Sequence, residues 1–199
     1  PGSALKPFIY GLAFDEGLAD PDTLLDDAQT RFRDYQPENF DHVFHGRVTA
    51  REALTHSLNV PVVSLLDRIG PAAFEARLAA AGVRLERPKA RTREAGLALA
   101  LGGAGMSLRD LAVLYAALAD GGRARPLAWT EAEARSGRGG TRLLRPEAAR
   151  TVVEILRETP PPDGRAPAAL SRGRAQIAYK TGTSYGFRDA VAAGIAGPY

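Results

Sequence analysis

Apolar residues recur at helical spacing along most of this chain and settle into strand-like runs only near its end. Leu5, Phe8, Ile9, Leu12 and Ala13 predict a helix over residues 4 to about 17. Ser3 would sit at its N-cap, Pro7 near the first turn and Gly17 as its stop. Thr49-Ala50-Arg51-Glu52 has the form of a capping box and opens a short helix ending near His56. A further helix begins around Pro61 and runs to about Ile69, where Gly70-Pro71 ends it. The next spans about Pro71 to Ala81 before Gly82. Ser107-Leu108-Arg109-Asp110 repeats the capping pattern and opens a helix halted at Gly121-Gly122. Pro146 marks a last helix start, running to about Arg157.

The segments between are of other kinds. Residues 20 to 47, with Pro21, Pro37, Gly46 and several aromatics, predict an ordered loop with a short strand. Residues 84 to 95 read as a charged surface loop, 97 to 105 as an apolar glycine-rich stretch, and 122 to 144 as a loop holding one extended pair. Residues 159 to 174, with three consecutive prolines, predict a surface linker. Gln176 to Lys180 and Asp189 to Ala196 read as strands joined through a turn at Gly182 to Gly186. Six or so helices and two strands make an α+β chain: a mostly helical lobe over about 3–160 and sheet strands over 175–199. Two strands are marginal as a sheet, so they require further strands or a cover of helices.

Composition narrows the function classes. A chain of 199 residues that is 45% hydrophobic and 25% charged can build one domain, or most of a larger one, around a real core. The net charge of +3 and pI near 9.5 do not indicate nucleic-acid binding, because arginines alternate with acids, as at Arg51-Glu52, Asp67-Arg68 and Arg109-Asp110. The absence of cysteine excludes a disulfide scaffold, a cysteine nucleophile and a thiolate metal site. There is no apolar run of about 18 residues and no signal peptide. The abrupt opening at Pro1-Gly2-Ser3 and the strand-like close at Gly197-Pro198-Tyr199 predict a chain cut at both ends.

Lysine usage changes the picture. Arginine outnumbers lysine twenty-three to three, and two of the three lysines, Lys6 and Lys180, lie in short signatures. Arginine stays protonated, whereas burial or a second cation can tune a lysine amine toward neutrality. The signatures are Ser3-Ala4-Leu5-Lys6, then Ser57-Leu58-Asn59, then Lys180-Thr181-Gly182-Thr183. Ser3 is a nucleophile once a base takes its proton, and Lys6, three residues on, shares its helix face. Ser57 offers a hydroxyl that can pass a proton onward, and Asn59 an amide that can both donate and accept. Lys180 and Thr183 suit a substrate carboxylate. Gly182 would let a ligand lie along the strand edge, and the backbone N–H after it could join that of Ser3 as an oxyanion hole. Each signature alone has a structural reading: an N-cap, a helix cap, a strand end with a turn glycine. Their order and placement together point to an active-site serine enzyme.

On these residues the chain resembles the transpeptidase domain of class A penicillin-binding proteins, nearest to the 1C type. Supporting runs are Tyr35-Gln36-Pro37-Glu38-Asn39-Phe40-Asp41, Phe44-His45-Gly46, Leu101-Gly102-Gly103-Ala104-Gly105 and Tyr179 through Asp189. The resemblance implies a penicillin-recognising fold, an antiparallel sheet flanked by helices with an all-helical lobe, here with an incomplete sheet. It implies a D,D-transpeptidase in which Ser3 is acylated by a peptidoglycan stem peptide, releasing D-Ala, and then passes the acyl group to an amine. Lys6 would be the base, Ser57 the relay, Asn59 a substrate anchor, and Lys180, Thr181, Gly182 and Thr183 the strand that binds the substrate. β-Lactams would acylate the same serine. No metal or cofactor is implied. The parent would add a glycosyltransferase domain and a membrane anchor, act on the periplasmic side of the inner membrane, and work in a cell-wall synthesis complex. The alternatives are a non-catalytic β-lactam or muropeptide sensor or scaffold, and a D,D-carboxypeptidase or β-lactamase of the same superfamily.

Other residues were weighed against plainer roles. His42 and His45 could share a metal if helical, but no third ligand stands near them and the flanking aromatics suggest packing. His56 beside Ser57 suggests a serine–histidine pair, yet that would leave the other signatures unexplained. Gly102 to Gly105 lacks a following lysine, which argues against a phosphate loop and for a close backbone turn near the site. Tyr115 and Trp129 read as packing, and Arg188-Asp189 as groove lining or a mutual pair.

Overall fold

The computed structural model describes residues 1–32, 35–86, 94–135, 139–160, 177–184 and 188–197. The chain opens with a 3₁₀ helix, Gly2–Leu5, that leads directly into α1, Lys6–Asp15. Pro7 explains the change of pitch. It has no N–H to give the Ser3 carbonyl, so that oxygen takes the Lys6 N–H instead, while Ala4 N–H closes on Pro1 O at 3.2 Å. The predicted helix from residue 4 to 17 is therefore shorter, and Ser3 is not its N-cap. Ser3 lies inside the 3₁₀ turn, where residues three apart eclipse, so it projects on the same side as Lys6. Every residue of α1 from Lys6 to Ala13 is buried, as expected of a helix that is apolar on all sides.

A strand pair that the sequence only hinted at follows: β1, Leu24–Asp27, antiparallel to β2, Gly46–Thr49. The Thr49 capping box forms in full, with Glu52 N–H donating to Thr49 Oγ1 at 3.1 Å and the Thr49 N–H donating to Glu52 Oε2 at 2.8 Å. It starts α2, Ala50–Thr55, followed by α3, Val60–Ile69, and α4, Pro71–Ala80. Glu86 bridges Gly105, a short α5, Glu94–Leu97, appears within the predicted loop, and a second 3₁₀ helix covers Ala98–Leu101. Residues 87–93 lie outside the described residues. Ser107 caps α6, Leu108–Ala119, through its Oγ and the Asp110 N–H at 3.0 Å. The extended pair within 122–144 is β3, Arg123–Ala124, with β4, Thr141–Arg142, and an unpredicted short α7, Glu131–Arg135, precedes β4.

Helix α8, Pro146–Arg157, leads toward the proline-rich linker, of which residues 161–176 lie outside the described residues. Strands β5, Ala178–Thr183, and β6, Ala190–Ile195, pair antiparallel from Ala178↔Ile195 to Thr183↔Ala190. Strand β5 thus runs three residues beyond the predicted Lys180, and the whole Lys180–Thr183 run is strand. Three two-stranded sheets form among the described residues, and α6 and α8 pack against the β5–β6 pair. The architecture is α+β.

Three glycines decide how the pieces meet. Gly2 adopts φ +56°, and a Cβ there would fall 2.4 Å from Thr183 O. A Cβ on Gly182 would fall 2.0 Å from Pro1 O, and one on Gly102, at φ +85°, 2.4 Å from Gly2 Cα. The backbones of the Ser3 turn, β5 and the Gly102 turn are therefore stacked in direct contact. This is the close backbone turn expected of Gly102–Gly105. Substituting Gly2→Ala or Gly182→Ala is expected to cost about 2–4 kcal/mol, because the obstacle is backbone that cannot swing aside. Gly139→Ala, where a Cβ meets nothing within 4 Å, should change stability by no more than about 0.5 kcal/mol. Urea midpoints of the three variants check this.

Candidate active site

The three signatures converge on one cleft of about 700 Å³. Its lining includes Ser3, Ser57, Asn59, Thr181, Gly182, Thr183 and Ser184, with Phe40, Leu58 and Leu101 as its large apolar members. Ser3 is half-buried there. Tyr115 of α6 steadies its turn, donating its buried hydroxyl to Ala4 O at 3.0 Å while packing edge-on against Phe8. A second cleft, of about 880 Å³, lies on the far side of Pro1 and Gly102 and is lined by Arg188 and Asp189; it holds none of the eight predicted residues.

Lys6 lies behind the cleft with no exposed surface. Its amine donates to Ser57 O at 2.6 Å, Leu58 O at 3.0 Å, Asn59 Oδ1 at 2.6 Å and Ser57 Oγ at 3.3 Å. The first two signatures are thereby joined atom to atom. Burial drives the Lys6 amine well below the ordinary lysine range, the nearby Lys180 cation lowers it further, and Asp27 opposes both. Lys180, 3% exposed, lies within reach of this effect, donates to Thr181 O at 3.1 Å, and is itself lowered to about 8 by burial.

Ser57 owes its orientation to the end of α2. Its N–H returns to Leu54 O at 3.1 Å and the Leu58 N–H to Ala53 O at 2.9 Å, the paired bonds of a Schellman turn. That turn asks for a left-handed residue, usually glycine, and Ser57 fills it at φ +59°. Neither Ser57 nor Asn59 caps a helix through its side chain, so the plainer reading of this signature does not hold. The expected reason for Gly182 also shifts: the space beside it is taken by the Pro1 carbonyl of the chain's own Ser3 turn, not left open along the strand.

The histidines find other partners. His42 Nδ1 lies 2.9 Å from Glu38, His45 Nδ1 lies 3.0 Å from Asp27, and neither histidine is helical. His56 lines the cleft rim, exposed. Two further buried residues stand behind the site without belonging to any signature: Asn39, which accepts the Asn59 N–H, and Asp27, which accepts from Asn39. The available signal was that Asn39 is the other asparagine of a chain with two. Residues 185–187 of the run after Thr183 lie outside the described residues.

Comparison with known proteins agrees with this geometry. Residues 1–193 match the family described as the penicillin binding protein transpeptidase domain. The chain is 43% identical to penicillin-binding protein 1C of Escherichia coli over 201 residues, covering all of this chain and 25% of that protein. It is 28% identical to penicillin-binding protein 1A of Neisseria gonorrhoeae over 96% of this chain and 25% of the relative. The chain thus spans about a quarter of the length of these relatives. The fold is shared with the transpeptidase domain of Burkholderia pseudomallei penicillin-binding protein 3, at TM-score 0.77 and 23% identity over 98% of this chain and 66% of that one. It is also shared with a structure described as a peptidoglycan glycosyltransferase from Burkholderia ambifaria, at TM-score 0.78 and 24% identity over 94% and 63%. A match across nearly every residue, with a Ser-x-x-Lys turn, a Ser-x-Asn turn and a Lys-Thr-Gly strand around one cleft, places the chain in the transpeptidase-domain family of penicillin-binding proteins, among its class A members of the 1C type.

Proposed function

We propose that the chain is a serine D,D-transpeptidase domain acting on peptidoglycan stem peptides, with Ser3 as nucleophile and Lys6 as its base. The carrying observation is the Lys6 amine: buried, beside Lys180, and in contact with both Ser57 and Asn59. An amine pushed toward its neutral form can take the Ser3 hydroxyl proton as Ser3 Oγ bonds to the carbonyl carbon of the penultimate D-Ala. The Ser3 and Thr183 N–H groups would receive the developing oxyanion. The bond to the terminal D-Ala nitrogen then breaks, and the proton reaches that nitrogen through Ser57, 3.3 Å from Lys6. An amine of a second stem attacks the resulting ester, forms the amide cross-link and returns the proton to Ser3. Asn59 anchors the substrate, and the Lys180–Thr183 strand takes its carboxylate. With a β-lactam the ring C–N bond opens and both halves stay attached.

In its parent the domain would sit on the periplasmic side of the inner membrane beside a glycosyltransferase domain, within a cell-wall synthesis complex. No helix among the described residues is long and apolar enough to cross a membrane.

Intact-mass spectrometry after incubation with a penicillin tests the nucleophile, on this chain and on one extended at both ends. The expected result is a gain of one whole drug mass, lost in Ser3→Ala. No gain in either length would overturn the catalytic reading in favour of a scaffold. Rapid loss of the adduct to water, without transfer to added D-amino acids, would favour a hydrolase.

Ser57→Gly separates folding from chemistry. It relieves a left-handed non-glycine residue, so stability should hold or rise by about 1 kcal/mol, while acylation falls at least about 100-fold for want of the relay. Thermal melts and acylation rates on the same samples check both.

The pH dependence follows from the two lysines. Acylation needs neutral Lys6, so the rate rises with pH through the lowered Lys6 value. It also needs charged Lys180, so it falls again around pH 8 as that amine loses its proton. Lys180→Arg keeps the charge at every working pH and should remove the alkaline limb of the rate profile.

A further inference from the structure

A second layer of hydrogen bonds stands behind the Ser57–Asn59 turn. Asp27, the last residue of β1, has no exposed surface. Its carboxylate accepts the Asn39 amide N–H groups at 2.9 and 2.8 Å and the His45 backbone N–H at 2.8 Å, and His45 Nδ1 lies 3.0 Å from the same Oδ2. Asn39, 3% exposed, also donates to Val43 O at 2.8 Å. Its own Oδ1 accepts the Asn59 backbone N–H at 2.7 Å. Asn59 in turn donates to Glu38 O at 2.6 Å and accepts from Lys6 at 2.6 Å.

The order of atoms requires these residue types. A buried carboxylate only accepts, so whatever faces it must donate. The Asn59 backbone N–H only donates, so whatever faces it must accept. One planar amide meets both demands with its nitrogen toward Asp27 and its oxygen toward Asn59, and Asp27 decides which way round that amide lies. An aspartate at 39 would set two carboxylates against each other, and an alanine would leave both buried groups unpartnered.

We propose that Asn39 and Asp27 are positioning residues of the active site: Asp27 orients the Asn39 amide, and the amide holds the Ser57–Asn59 turn against the Lys6 amine. This rests on the reading of Ser3 and Lys6 as nucleophile and base.

The charged groups that act on Lys6 are Lys180 from β5 and Asp27 from β1, with Tyr10 of its own helix acted on by the same Asp27; the 57–59 turn brings none. Asp27 is the anion of this group and favours protonated Lys6. Removing its charge therefore moves the acid limb of the acylation profile to lower pH. A residue that merely stabilised the fold would leave that limb in place.

The experiment compares Asn39→Ala, Asn39→Asp and Asp27→Asn with the parent chain. Penicillin acylation rates are taken across pH on samples whose near-ultraviolet circular dichroism shows a folded core. Expected are slower acylation by about 10- to 100-fold in all three, from misplacement of the reacting groups, and an acid limb displaced downward in Asp27→Asn alone. Hydrogen exchange of the Asn59 amide should accelerate in the Asn39 variants. This last reading does not depend on acylation, so it still decides the proposal if the parent chain fails to react. Unchanged Asn59 exchange, or folded variants with the parent's rates and the parent's acid limb, would overturn it.

Discussion

A lysine amine placed in the middle of a hydrophobic core is the constraint around which this molecule is arranged. Helix α1 is buried on all sides, and Lys6 is its first residue. An ammonium there is costly unless oxygens surround it. The oxygens come from a turn more than fifty residues later, two of them backbone carbonyls and two the side chains of Ser57 and Asn59. That demand ties α1 to the junction of α2 and α3. It also accounts for the tight form of the junction, since a Schellman end followed at once by Asn59 and Pro61 presents two successive carbonyls inward. The polar centre is thus also a packing device, because three helices cannot move apart without stranding a buried amine and the oxygens that accept from it.

The nucleophile is placed by a different means, the contact of bare backbone. Gly102, Gly2 and the Gly182–Thr183 strand come from three distant parts of the chain and stack with no side chain between them. Side chains relax through rotamers, and backbone in direct contact does not. The distance between the Ser3 turn and the Thr183 backbone is therefore set more tightly than side-chain packing alone would set it. The Tyr115 hydroxyl on Ala4 O fixes the same turn from the opposite face. Positioning of this kind is what reaction between bound groups requires.

Local chemistry with a fixed spacing was legible in the sequence. Thr49, Ser107 and Pro146 announced helices that form where expected, because caps and prolines act within a turn of their own position. The three signatures have fixed spacings too, and the structure brings them together around one cleft. Features that depend on distant partners were not. Leu24–Asp27 ends in two acids and reads as loop; Asp27 becomes an interior residue only because Asn39 and His45 are brought over it. Gly182 and Thr183 read as the start of a turn, and stay in the strand because β6 pairs with them as far as Ala190. Ser3 looked like an N-cap, and the missing Pro7 N–H makes it part of a 3₁₀ turn instead.

Several departures from ordinary stability rules gather around the cleft. Ser57 is one of two non-glycine residues with positive φ, among the described residues, and it lies on the cleft. Lys6 and Lys180 are buried amines, each lowered by burial from the ordinary lysine range, and the charge of Lys180 disfavours a charge on Lys6. Asp27 is a fully buried carboxylate facing a histidine rather than a lysine or arginine. Tyr10, close enough for Asp27 to affect it, keeps a buried hydroxyl with no partner among the described residues. A glycine at 57 would relieve the positive φ, and the desolvation of Lys6 and Asp27 is offset only by the partners gathered around them. Away from it, Thr49 and Ser107 cap their helices and an apolar core closes around α1, with His42 at positive φ and the unpartnered Thr55 hydroxyl as exceptions among the described residues. Ser57 lines the cleft and Lys6, Lys180 and Asp27 stand behind it, so strain and desolvation are stored together where the chemistry would be done.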